Sequence, residues 1–126
     1  MKEEKFSIAK RLKSFTYAFA GLKLLFKEEH NAWIHLFVTV CVIAAGILFK
    51  ISLLEWVAVA FAIGLVFSFE IMNTSVENIA DFICPERDDR IKRIKDLAAA
   101  AVLVSAITAA VVGLLVFVPK IIELLS

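Results

Sequence analysis

Three apolar runs, at residues 32–49, 53–69 and 97–118, restrict what this chain can fold into more than any other feature. A bilayer core about 30 Å thick is crossed by about 20 apolar residues in a helix. The first run, 18 residues interrupted only by His35 and Thr39, covers about 27 Å at roughly 1.5 Å per residue. The second is broken only by Glu55 and Ser68, and the third is 22 residues built largely of Ala, Val, Leu and Ile. Backbone groups in hydrocarbon must find partners within their own segment, which leaves the helix as the structure for such runs. Hydrophobic residues make up 61% of the 126 and the mean hydropathy is +0.87, above the range of soluble domains. The expectation is a single-domain, all-α membrane protein with three transmembrane helices.

Charge sets the orientation. Lys2, Lys5, Lys10, Arg11, Lys13, Lys23 and Lys27 precede the first run, and Arg87, Arg90, Lys92, Arg93 and Lys95 lie between the second and third. The positive-inside rule places the N-terminus and the 85–96 loop in the cytoplasm, and the 49–52 turn and the C-terminus outside. Topology thus accounts for the basic residues, and nucleic-acid binding has little support. Cys41 and Cys84 fall on opposite sides of the bilayer, which argues against an intrachain disulfide. The first 27 residues are amphipathic, with no apolar core and cleavage site of a signal peptide, so the first crossing is expected to direct its own insertion into the plasma membrane.

Along the chain, residues 1–5 are charged and expected to fray. Between 7 and 27, Leu12, Phe15, Phe19, Leu22 and Phe26 recur at alternating helical spacings and draw one apolar stripe beside Lys10, Lys13, Lys23 and Lys27. This pattern predicts a surface helix lying in the headgroup region. Gly21 within it suggests close approach by another helix, and Trp33 is placed as an interfacial anchor. The transmembrane segments are expected at 32–49, at 53–72 with a cytoplasmic extension to 83, and at 97–118. Pro85 ends the second, Pro119 and Lys120 close the third, and helix resumes in the charged connector by Ile91. Glu55 reads as a wetted residue of the outer rim. His30 and His35, about 140° apart on a helix, read as interfacial polar residues and not as a metal pair.

The last part of the second helix carries the chemistry. At about 100° per residue, with Glu70 as origin, Asn73 falls near −60°, Thr74 near +40°, Glu77 near −20° and Asp81 near +20°. One polar seam results, with Ile71, Met72, Val76, Ile79 and Ala80 on the other faces. Ionisable groups at membrane depth cost several kcal/mol unless they pair, bind a cation or reach water. The turns bring this seam to the same side of the bilayer as Glu28–Asn31 and Lys95–Asp96. Carboxylates from two helices suit a partly hydrated Mg²⁺ that completes its shell with phosphate. A lysine beside them can offset phosphoryl charge, and a further carboxylate can accept the proton of an attacking hydroxyl. The four glycines form no phosphate-binding loop.

The run Glu70-x-Met72-Asn73-Thr74-Ser75-Val76-Glu77-x-x-Ala80-Asp81 resembles the signature of the small prokaryotic diacylglycerol kinase and undecaprenol kinase family, with Ala80 where that pattern usually has Val. Tyr17-Ala18-x-x-Gly21-Leu22 is similar to the family's surface helix, Glu29-His30-Asn31 to its first acidic site, and Lys95-Asp96-x-Ala98-Ala99-Ala100-Ala101-Val102 to the opening of its third crossing. The resemblance covers roughly residues 10 to 110. It implies an ATP- and Mg²⁺-dependent lipid kinase with Glu70 as the general base, Glu29 and Glu77 holding the metal on ATP, and Asn73 orienting the reacting groups. Lys95 and Asp96 would contact the nucleotide, with Tyr17, Asp81 and, on a less secure alignment, Lys10 helping to place it. It also implies a homotrimer with sites shared between subunits, acting on undecaprenol or diacylglycerol at the cytoplasmic boundary. The pattern Glu29-x-Asn31 with His35 leans toward undecaprenol. Residue physics alone also admits a small proton-coupled transporter or channel subunit, or an interaction protein whose acidic seam docks a basic partner.

Overall fold

A computed structural model describes residues 5–126 as four helices: α1 (Ile8–Glu28), α2 (His30–Leu48), α3 (Leu53–Ile83) and α4 (Asp89–Leu125). The expected frayed start concerns mainly residues 1–4, which lie outside the described residues. Each helix begins on a side chain that accepts from a first-turn N–H group, as orphan donors there require. Ser7 caps α1, Glu29 caps α2, Ser52 caps α3 and Asp88 caps α4. α2, α3 and α4 are each long and apolar enough to cross a membrane, and most of their large apolar side chains face outward.

The polar break between α1 and α2 narrows to Glu29, the one residue there in extended conformation. The 49–52 turn passes through Lys50 at φ 51°, a left-handed conformation that reverses the chain in few residues. α3 runs unbroken to Ile83. Cys84, which precedes Pro85, is extended at φ −149° and ψ 90°, as the proline ring demands of its predecessor.

The expected stop at Pro119 is not where the helix stops, since α4 continues to Leu125 with the proline inside it. Proline removes one backbone bond of a helix and does not by itself end one. The next residue also anchors that turn: Lys120 Nζ lies 3.0 Å from Glu55 Oε1. Glu55 is therefore structural and not merely wetted. It forms a capping box with Ser52 and ties the start of α3 to α4.

α3 and α4 form the antiparallel spine. Glu55–Lys120 joins them at one end and Lys95–Asp81, at 2.5 Å, at the other. Ile51, Val59 and Val116 are buried between the helices, flanked by Val42, Trp56 and Phe117. α2 comes close to α3 at Gly46, where an added Cβ would come within 2.6 Å of the Trp56 ring. α1 docks through its last turns: Leu25 is buried, and Phe26 packs edge-on against Trp33, whose Nε1 donates to the Phe26 carbonyl at 2.8 Å. Trp33 is thus a clasp between α1 and α2. Leu12, Phe15 and Phe19 remain exposed, and nothing approaches within 4 Å of a Cβ built on Gly21, contrary to the close contact its position suggested.

Candidate active site

Glu70 is 2% exposed, near the middle of α3. In the antiparallel register set by the two ion pairs, the small and buried Ser105 of α4 comes level with it. The partner of Glu70 comes from α2: its Oε1 lies 2.8 Å from His35 Nε2. A carboxylate can only accept, so Nε2 donates. His35, read from the sequence only as an interfacial polar residue, is the group that satisfies the buried acid. The sequence carried a signal for this, because an ionisable side chain inside an apolar run needs a partner at its own depth.

One turn further along α3, Asn73 is 8% exposed and its Nδ2 donates to Glu77 Oε1 at 3.3 Å. Asn73 Oδ1 and the neighbouring Thr74 Oγ1 are buried with no hydrogen-bond partner. Leaving such an atom unpaired costs about 1–3 kcal/mol, and buried polar groups are otherwise nearly always satisfied. The shortfall at Asn73 and Thr74 lies between the buried Glu70 and the half-exposed Glu77. Asp81 then continues the seam to its ion pair with Lys95, while Asp96 pairs with Lys92 at 2.6 Å.

Glu70, Asn73, Glu77 and Asp81 thus follow one another along α3, with Asn73 bonded to Glu77 and Asp81 to Lys95 in the first turns of α4. The α1–α2 junction reaches the same end of the bundle, through Asn78 Nδ2 donating to Glu28 Oε2 at 3.1 Å, a contact not read from the sequence. Glu29 instead turns back on its own helix, accepting from the Asn31 N–H at 3.3 Å. Tyr17 is exposed on α1, where it lines a hollow of about 340 Å³ together with Lys10, Arg11 and Lys13. Among the described residues, no three His, Cys, Asp or Glu side chains converge as a metal-binding group.

A model of the family described as prokaryotic diacylglycerol kinase matches residues 16–117. The chain belongs to the prokaryotic diacylglycerol kinase family. Among its relatives are the undecaprenol kinase of Bacillus subtilis, 34% identical over 94% of this chain and 97% of that protein, and the diacylglycerol kinase of Synechocystis, 35% identical over 90% of this chain and 66% of that protein. As a prokaryotic diacylglycerol kinase family member the chain is a membrane-embedded lipid kinase, and its polar seam lies within the matched residues.

Proposed function

We propose that the protein transfers the γ-phosphoryl group of ATP to the hydroxyl of a polyprenol such as undecaprenol, with Mg²⁺, at the cytoplasmic boundary of the plasma membrane. The observation that carries this reading is the buried Glu70 carboxylate, held on one oxygen by His35 and followed by the unsatisfied Asn73 and the half-exposed Glu77. A hydroxyl meeting Glu70 from the lipid side gives its proton to Oε2. The hydroxyl oxygen attacks the γ-phosphorus, an O–P bond forms, and the bond to the β–γ bridging oxygen breaks with its electron pair leaving on ADP.

The oxygen donors present fit Mg²⁺, which takes one or two carboxylates and fills its remaining positions with water and phosphate. Glu29 and Glu77 would hold it, and the unpartnered Oδ1 of Asn73, whose amide nitrogen donates to Glu77, is a further oxygen on the Glu77 side. When bound, the ion offsets charge on the phosphates. Lys95 and Asp96 would contact the nucleotide, and Lys10, Tyr17 and Asp81 would help to place it. A homotrimer is supported by the way the donors divide: Glu29 caps its own helix, and Leu12, Phe15 and Phe19 on the apolar stripe of α1 are uncovered in one protomer.

The polyprenol reading draws support from the near full-length match to the Bacillus protein. Diacylglycerol is the second reading, favoured by the family description and the Synechocystis relative. Purified protein given γ-labelled ATP and each lipid in turn is expected to label undecaprenol. Labelling of diacylglycerol alone selects the second reading, and labelling of neither refutes both.

A further inference from the structure

His35 touches two environments. One side is its hydrogen bond to Glu70. On the other it lines a cavity of about 270 Å³ between α2, α3 and α4, walled by Val42, Val66, Ala106, Ala109, Ala110 and Gly113 among others. The walls are almost entirely apolar. The hydroxyl of Thr39, the other polar side chain there, already donates to the His35 carbonyl at 2.7 Å. The cavity exists because α4 turns small side chains toward α2 and α3, and no Cβ at Gly113 would meet anything within 4 Å. Phe67 stands edge-on to the imidazole, with centroids 6.3 Å apart, and holds the ring where the cavity meets the acid.

We propose that His35 is a positioning residue for the acceptor, and that the cavity holds the apolar chain segment next to the reacting hydroxyl. The inference rests on the lipid-kinase reading above. With Nε2 on Oε1, the ring leaves Oε2 of Glu70 for the hydroxyl proton and forms the polar end of the cavity, so a chain entering it delivers its terminal alcohol to the base. Apolar cavities of about 150 Å³ hold one benzene. The space here is therefore large enough to take one narrow apolar chain.

The test is steady-state kinetics in bilayer nanodiscs with ATP and undecaprenol, farnesol or diacylglycerol. His35→Ala is expected to lower kcat about 100-fold, the size of effect that misplacing a reacting group produces, with KM for ATP unchanged. His35→Gln keeps an N–H donor and is expected to recover to within about tenfold of wild type. Ala109→Leu, which narrows the cavity away from Glu70, is expected to raise KM for undecaprenol and farnesol severalfold while sparing KM for ATP. Wild-type turnover with an undiminished kcat in His35→Ala overturns the role of His35, and so does a His35→Gln protein as slow as His35→Ala. Unchanged lipid KM values in Ala109→Leu overturn the acceptor cavity, leaving it to bulk lipid or a second copy. A wild type that phosphorylates no lipid instead refutes the lipid-kinase reading itself.

Discussion

His35 Nε2 and Glu70 Oε1 lie 2.8 Å apart although 35 residues separate them in the chain. The contact joins the first and second crossings at the depth of the only buried carboxylate among the described residues. If that carboxylate is the base, Glu70→Gln removes proton acceptance and keeps the shape. Turnover is expected to fall about 10²- to 10⁴-fold, the usual contribution of general base catalysis. ATP affinity should change little, as measured by equilibrium binding of a nonhydrolysable analogue with Mg²⁺. Weakened binding without loss of turnover would give Glu70 a different role.

Glu77 stands one turn beyond Asn73 on the seam and accepts from it. Glu77→Gln is expected to raise KM for Mg-ATP by at least about tenfold, the scale on which loss of a supporting group alters a metal site. KM for the lipid should stay near wild type. Raising Mg²⁺ should recover part of the loss, and a Mg²⁺-independent defect would argue against a metal role.

Two glycines in similar helical settings should respond oppositely. A Cβ at Gly46 would meet the Trp56 ring at 2.6 Å, whereas Gly21 has open space. Gly46→Ala is expected to destabilise the fold by about 1–3 kcal/mol, as overpacking does, and Trp56→Leu in the same chain should relieve much of that. Gly21→Ala should be neutral or stabilising by up to about 1 kcal/mol, since alanine is the better helix former. Thermal or denaturant unfolding in detergent measures both. A loss of stability or of oligomer in Gly21→Ala would show that this face of α1 packs on a second copy.

The cap of α4 should show in acid. The Arg90 guanidinium and backbone N–H both donate to Asp88 and hold its carboxyl below the usual aspartate range. A carboxyl depressed in the folded state contributes its full stability above its unfolded pKa of about 3.9. That contribution is lost as pH falls through the lower folded value. Melting temperature is therefore expected to fall more steeply below about pH 4 in wild type than in Asp88→Asn, which keeps an N-cap acceptor without the charge. Parallel acid limbs in the two proteins would remove the cap from the acid response.

What the sequence by itself determined is local or nearly so. Apolar run lengths set three membrane-length helices, the angular period collected Glu70, Asn73, Glu77 and Asp81 on one stripe, and Pro85 set the end of α3. Each follows from hydropathy, residue period or backbone geometry over a few turns. Tertiary structure alone decided which side chains meet: His35 with Glu70, Glu28 with Asn78, and Glu55 with Lys120 across a helix that continues through Pro119. The physical reason is that such pairings depend on the depth, rotation and register of one helix against another. In lipid, one apolar face is nearly as good as the next, so those choices are set by sparse features of packing. Here they include the bare backbone of Gly46 under Trp56, the small residues of α4 and the ion pairs at both ends of the spine.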